Sequence, residues 1–301
     1  MTSANTTCES SEYLIKPHEL DQRITESGDL IMLPTVATEA LELANDPDCS
    51  IPKFVSVIET DPSLVTDILS ISNSSAYGAR NEIKSIHQAV VHIGTTQCKN
   101  LIISSCVRSL SRNLPPSVAW SRDVLWKHNT QAAAIARELN RAFGLGFAGE
   151  EFSGAMLHDI GRFILAAAAP DVFDVVDRMS FCESVATIEN ERALIGTDHC
   201  EIGANFAQAS KLPKSLTDVI RFHHNPSESE EYSLLVHLVA SADHLANHIM
   251  HAGETEPYDP ELSPSFQVIT EAGKSVDIAA VIRRATAAGI ESGENAGSLD
   301  S

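Results

Sequence analysis

Apolar residues recur at every third or fourth position along most of this chain, the pattern of helices that each bury one face. Val36, Ala40, Leu41 and Ala44 share the first such stripe, with Thr35 as its expected N-cap and Asn45-Asp46-Pro47-Asp48 as its stop. A second short helix is predicted over Ile51–Glu59. Asp61-Pro62 then sets a capping carboxylate before a proline at the first helical position, which opens Ser63–Ser72 with Leu64, Ile68 and Ile71 inward. Asn73-Ser74-Ser75-Ala76-Tyr77-Gly78 breaks the pattern, and it resumes from Ile86 to about Leu110 with an interruption at Gly94. Further helices are predicted over 122–143, 150–168, 171–179, 183–194, 198–210, 213–224 and 232–251. No stretch alternates apolar and polar residues well enough to be a strand, so the fold class is all-α.

The breaks in the pattern divide the chain. Residues 1–30 are polar and mixed, and are expected to form a flexible lead-in. Residues 31–114 form an N-terminal helical subdomain that ends at the connector Asn113-Leu114-Pro115-Pro116, and 115–251 form a second helical subdomain. Residues 252–301 are expected to hold a long loop over Gly253–Pro264, a short helix near Ser275–Ala287 and an acidic, disordered tail over Gly289–Ser301.

Composition narrows the functional classes. A chain of 301 residues can bury a core in one or two domains. Its net charge of −20 repels phosphate backbones, which excludes bulk nucleic acid as a partner but leaves room for a local basic pocket. The N-terminus carries no basic start followed by an apolar run, and no segment nears the roughly 18 to 20 apolar residues that a membrane span needs. Six cysteines (Cys8, Cys49, Cys98, Cys106, Cys182, Cys200) are scattered without a C-x-x-C pair, so a cytoplasmic protein with reduced thiols is expected.

The candidate chemistry lies where ligand-type residues fall on buried stripes. GAMLHDIGRFIL, residues 154–165, embeds His158 and Asp159 in an apolar run. Unpaired, they would be costly to bury, so a metal ion, a hydrogen-bond network or a salt bridge to Arg162 must satisfy them. His128 lies on the stripe Leu125, Ala132, Ala136, Leu139, Phe143; His199 lies on that of Ile202, Phe206, Ala209. His223 follows Leu216 and Ile220 with His224 adjacent, and Asp243 lies among Val236, Val239 and Ala246. Each alone is more often a satisfied core residue. Five helices each turning a His or Asp inward favour a shared divalent ion, since imidazole and carboxylate suit iron, manganese or zinc. His237, His244, His248 and His251 are expected to be ordinary helix-face residues, and Cys200 a packed thiol.

Leu157-His158-Asp159-Ile160-Gly161 in an all-α chain resembles the motif of the HD superfamily of metal-dependent phosphohydrolases. Leu33-Pro34-Thr35, Asp46-Pro47-Asp48, Glu59-Thr60-Asp61-Pro62-Ser63-Leu64, Asn73-Ser74-Ser75-Ala76-Tyr77, Ile86-His87-Gln88-Ala89-Val90 and His92-Ile93-Gly94 are similar to the HDOD family, over roughly residues 30–250. The resemblance implies an HD-superfamily-like multi-helix bundle serving as a bacterial signal-transduction output or regulatory module, with signalling proteins as partners. By the order of the related HD-GYP phosphodiesterases it implies a first ion at His128, His158, Asp159 and Asp243, with Asp159 bridging to a second at His199, His223 and His224. The alternative it implies is hydrolysis of a phosphodiester such as a cyclic dinucleotide, with Asp159 at the ion and Arg162 stabilising the developing charge. Two departures stand against that chemistry. Asn225-Pro226-Ser227 replaces the GYP segment, and Arg162 stands where that family has Lys.

Overall fold

Helix follows helix along the chain, and no described residue lies in a strand, so the architecture is all-α as expected. The computed structural model describes residues 13–28, 34–44, 46, 48–73, 82–180, 187–252 and 256–298. Leu33, Asn45, Pro47 and 74–78, which include several motif positions, lie outside them.

The first group of helices comprises α1 (Pro17–Glu26), α2 (Thr35–Ala44), α3 (Ile51–Ile58), α4 (Pro62–Ser72) and α5 (Ile86–Arg112). Thr35 is the first helical residue rather than the cap of α2. Asp61 caps α4 as expected, accepting from the Ser63 and Leu64 backbone N–H groups. Asn73 closes the end of α4 by accepting from the Ile83 N–H and donating to the Ile83 carbonyl, which ties the end of α4 to the residues that lead into α5. Ser85 caps α5. Gly94 interrupts that helix with φ 83° and ψ 160°, a conformation that favours a residue without Cβ. Helices α2, α3 and α4 pack on α5.

The second group comprises α6 (Ala119–Phe143), α7 (Glu150–Leu157), α8 (Ile160–Ala168), α9 (Pro170–Ser180), α10 (Thr187–Ile195), α11 (His199–Ala209), α12 (Lys214–Phe222) and α13 (Ser233–Ala252). Helix α6 runs through the core, packed by α7, α13 and a C-terminal helix, which explains why even Asn129 and Gln131 are buried on it.

Three expectations need correction. The lead-in is not featureless: α1 buries Leu20 completely and packs on α8. Its apolar content is too sparse to show as a stripe. Residues 150–168 are two helices, broken at His158-Asp159, with Asp159 at φ −96° and ψ 17°. No Gly or Pro marks that break. Finally, α14 (Pro264–Ala272) follows the expected loop, and the short helix expected near Ser275–Ala287 is α15 (Ile278–Ser298), which runs on through the tail expected to be disordered. The small residues that read as disorder let α15 lie close on α6. A Cβ at Gly289 would sit 2.9 Å from Ile135 Cδ1, and one at Gly293 would sit 2.8 Å from Gln131 Nε2. The Ser292 hydroxyl donates to the Thr130 carbonyl at 3.1 Å.

Candidate metal centre

The break between α7 and α8 builds the centre. A helix end leaves carbonyls without partners. Here the Ala155 carbonyl accepts from His158 Nδ1 at 2.7 Å and the Met156 carbonyl accepts from Asn129 Nδ2 at 3.0 Å. The bend turns the His158 and Asp159 side chains toward α6, α11, α12 and α13. The same device ends α12, where His223 Nδ1 donates to the Ile220 carbonyl at 3.0 Å. On α11, Asp198 caps the helix, and His199 at its first position is held by Glu191. The Glu191 carboxylate accepts from the His199 backbone N–H at 2.8 Å and from its Nδ1 at 2.8 Å. Asp243 projects from α13 and accepts from Asn247 Nδ2 at 3.1 Å.

These anchors fix the tautomers. Carbonyls and carboxylates only accept, so Nδ1 of His158, His199 and His223 carries a proton and Nε2 is the ring nitrogen that each turns inward. His199 Nε2 lies 3.3 Å and His223 Nε2 3.7 Å from Asp159 Oδ1. His158 Nε2 lies 3.7 Å from Asp159 Oδ2 and 3.5 Å from Asp243 Oδ1. His128 Nε2 lies 2.9 Å from Asp243 Oδ1, 3.2 Å from His158 Nε2 and 4.0 Å from Asp159 Oδ2. The seven residues expected at the site, His128, His158, Asp159, His199, His223, His224 and Asp243, are brought together around Asp159. All but His224 are under a tenth exposed.

Lone pairs facing lone pairs and carboxylate oxygens need a cation between them: protons or a metal ion. The residues fit an ion. Asp159 Oδ1 and His224 Nε2 are buried without a hydrogen-bond partner, and coordination would satisfy both. Two groups have ligand atoms close enough to share an ion: His128, His158 and Asp159, and His199, Cys200, His223 and His224. Glu191 on His199 Nδ1 is the outer partner that a metal-bound imidazole usually has.

Without a metal, the charges strain against burial. Burial opposes ionisation of Asp159, but His158 and Arg162, joined by His223 and His199, hold its carboxyl well below the usual range. Burial likewise opposes ionisation of Asp243, and the neighbouring His128 and His158 outweigh it and hold its carboxyl well below the usual range. His199 is raised well above an ordinary histidine, burial being outweighed by Cys200 and Glu191; His223 is raised likewise, by Cys200 and Asp159. Burial and the neighbouring charges of His223 and His199 push His224 well down.

Arg162 is 6% exposed. Its guanidinium donates to Asp159 Oδ2 at 3.1 Å and to Asp177 Oδ1 at 2.7 Å, which holds it against the cluster. Glu191, Asn129 and Asp177 were not singled out from the sequence. Glu191 lies on a polar stretch where its burial leaves no periodic signal. Nor was the contact of Cys200, whose Sγ lies 3.5 Å from His199 Nε2. Of the other histidines, His244 is half-buried with Nδ1 2.8 Å from the Tyr258 hydroxyl, and His237 Nδ1 is 3.0 Å from the Ser265 hydroxyl. Both serve helix packing.

An all-helical bundle with a His/Asp cluster at a broken helix defines the class, and comparison with known proteins gives the family. The HDOD domain model matches residues 30–226, and the chain belongs to that family. A crystal structure of an HDOD domain protein with unknown function from Geobacter sulfurreducens superposes with a TM-score of 0.73 at 23% identity, covering 92% of this chain and 98% of that one. A protein from Shewanella amazonensis SB2B, named as a candidate phosphohydrolase, superposes with a TM-score of 0.68 at 25% identity, covering 92% and 97%. An uncharacterized protein of Treponema pallidum (strain Nichols) is 28% identical over 217 residues, which is 71% of this chain and 42% of that protein. This chain therefore spans less than half the length of that relative. No helix among the described residues is long and apolar enough to cross a membrane.

Proposed function

We propose that this chain is an HDOD regulatory module of bacterial signal transduction that carries a resident divalent-metal centre. The ion is iron, manganese or zinc, in one or two copies. His128, His158, Asp159 and Asp243 hold the first, and His199, His223 and His224 take the second. The helical surface of the module meets signalling partners, and residues 115–251 hold the centre. The observation that carries the metal reading is the buried Asp159 carboxylate, whose Oδ1 has no hydrogen-bond partner while Nε2 atoms of His199 and His223 lie 3.3 and 3.7 Å away.

The sequence favours regulation over turnover, since Asn225-Pro226-Ser227 stands in place of a GYP segment. A cavity of about 120 Å³, bordered by Arg192, Cys200, Arg221 and His224, reaches the second histidine group. The second reading, a metal-dependent phosphohydrolase acting on a phosphodiester, rests on the near-complete ligand set and on the similarity to the Shewanella protein. A bound ion would supply Lewis-acid activation of water there. In both readings Arg162 holds the Asp159 carboxylate in place, and in the second it would also face the developing charge.

One experiment tests both. The protein is purified without chelator, its transition metals are counted, and hydrolysis of a cyclic dinucleotide is assayed beside His158→Ala and Asp159→Asn. The regulatory reading expects bound metal, lost in both variants, and no turnover. Turnover lost in the variants would establish the enzyme instead, and a metal-free protein would overturn the metal centre.

A further inference from the structure

The metal centre proposed above leaves one polar contact unused. Cys200 is buried at the second position of α11, and its thiol faces the same space as the second histidine group. Its Sγ lies 3.5 Å from His199 Nε2 and 3.9 Å from His223 Nε2. His199 Nε2 and His223 Nε2 are 3.4 Å apart. The ligand-type atoms of His199, Cys200, His223 and His224 all lie within 4.8 Å of one another. Independently of the cysteine, a buried atom of this group has no hydrogen-bond partner, His224 Nε2.

The three separations among His199, Cys200 and His223 are close to the edges of one polyhedron. A tetrahedral zinc with Zn–N near 2.05 Å and Zn–S near 2.3 Å sets its nitrogens roughly 3.4 Å apart and each nitrogen roughly 3.6 Å from sulfur. An octahedral oxygen-rich site of the magnesium or manganese kind would not use a thiolate.

We propose that Cys200 is a metal ligand, and that His199, Cys200, His223 and His224 form a closed tetrahedral zinc site with one sulfur and three nitrogens. The site has all four positions filled by protein, which marks it as structural or sensory rather than catalytic. The position of Cys200 in the first turn of α11 favours its thiolate, since the N-terminal N–H groups of a helix stabilise negative charge. The 120 Å³ cavity bordered by Cys200 and His224 gives the ion a path in. Two chemically different ions thus share one cluster: a first site of nitrogen and oxygen, and a second that contains sulfur.

The inference rests on the reading of this cluster as a metal centre, and its test separates the two. The full-length protein is stripped with chelator and reconstituted with cobalt(II). The near-ultraviolet band of thiolate-to-cobalt charge transfer is recorded for the wild type, Cys200→Ser and the control Cys106→Ser. The expected result is a band in the wild type and in Cys106→Ser that is absent in Cys200→Ser, with zinc affinity in Cys200→Ser lower by on the order of 10–100-fold. X-ray absorption at the zinc edge of the wild type, which needs no variant to fold, is expected to show one sulfur at about 2.3 Å. Bound cobalt or zinc with no sulfur signal would overturn the thiolate ligand and leave the metal centre standing. Protein that takes up neither metal would overturn both.

Discussion

Gly161 sits inside α8, where glycine is a poor choice on propensity alone. Alanine in a helix interior is favoured over glycine by about 0.5–1 kcal/mol, so Gly161→Ala would stabilise the protein if there were room. There is none. A Cβ at Gly161 would lie 1.9 Å from the His199 carbonyl oxygen, 2.7 Å from the His199 carbonyl carbon and 2.9 Å from the Gly203 nitrogen. These are backbone atoms of α11 and cannot rotate away. Since Cβ contacts stay above 3.0 Å, α8 and α11 must separate by about 1.1 Å to admit the methyl group. Overpacking of this kind costs typically 1–3 kcal/mol, and the rigid obstacle places it at about 3 kcal/mol, well beyond the propensity gain. At roughly 2–4 °C per kcal/mol, Tm should fall on the order of 5–10 °C. The same shift carries His199 away from Asp159, by far more than the ~0.2 Å that metal–ligand distances tolerate, so the second ion should be lost as well. Differential scanning fluorimetry with metal analysis reads both, and Gly28→Ala, whose Cβ would meet nothing within 4 Å, is the control. A Gly161→Ala protein with an unchanged or higher Tm would refute the close backbone approach.

Four further outcomes are expected. Stripping the protein with chelator lowers Tm, and a metal held at 100 times its dissociation constant restores about 2.7 kcal/mol, which a zinc titration followed by Tm will read. Arg162→Ala leaves Asp177, and in metal-free protein Asp159 as well, buried without the Arg162 cation, and costs about 3–5 kcal/mol in urea unfolding of the metal-free protein. Metal affinity falls with acidification: His199 and His223 are raised above an ordinary histidine, so protons compete for their lone pairs from a higher pH than about 6.5, and equilibrium dialysis across pH 5–9 should show loss beginning above that value. Cys98 and Cys106, pushed up to about 12 by burial, should stay unalkylated by iodoacetamide at pH 8 in the folded protein, and site-by-site mass spectrometry checks it.

Most of the helices were legible because an amphipathic helix writes its buried face into the spacing of its residues. His128, His199, His223 and Asp243 were found that way: each falls on an apolar stripe, and the structure turns each toward Asp159. Convergence itself was not legible, since periodicity describes one helix at a time. The break at His158-Asp159 escaped because its cause is not local. It is held by Asn129, an amide on another helix, and by a histidine satisfying its own helix end. Glu191 escaped for the same reason, its burial depending on His199 eight positions away. Helix α15 was misread in the opposite sense. Its Gly, Ala and Ser content lowers hydrophobicity, but those residues are what a close helix crossing on α6 requires.

That crossing bears on where the folding unit ends. The family match stops at residue 226, yet Asp243 and all of α13, α14 and α15 lie beyond it. A fragment excised at the family boundary would strip α6 of two neighbours at once. Ile135 and Gln131 would be exposed to water along the face that Gly289 and Gly293 cover, and His128 would lose the Asp243 carboxylate 2.9 Å away. The signature shared with relatives is thus smaller than the body that folds, and expression of residues 30–226 alone should yield aggregation rather than a miniature of the domain.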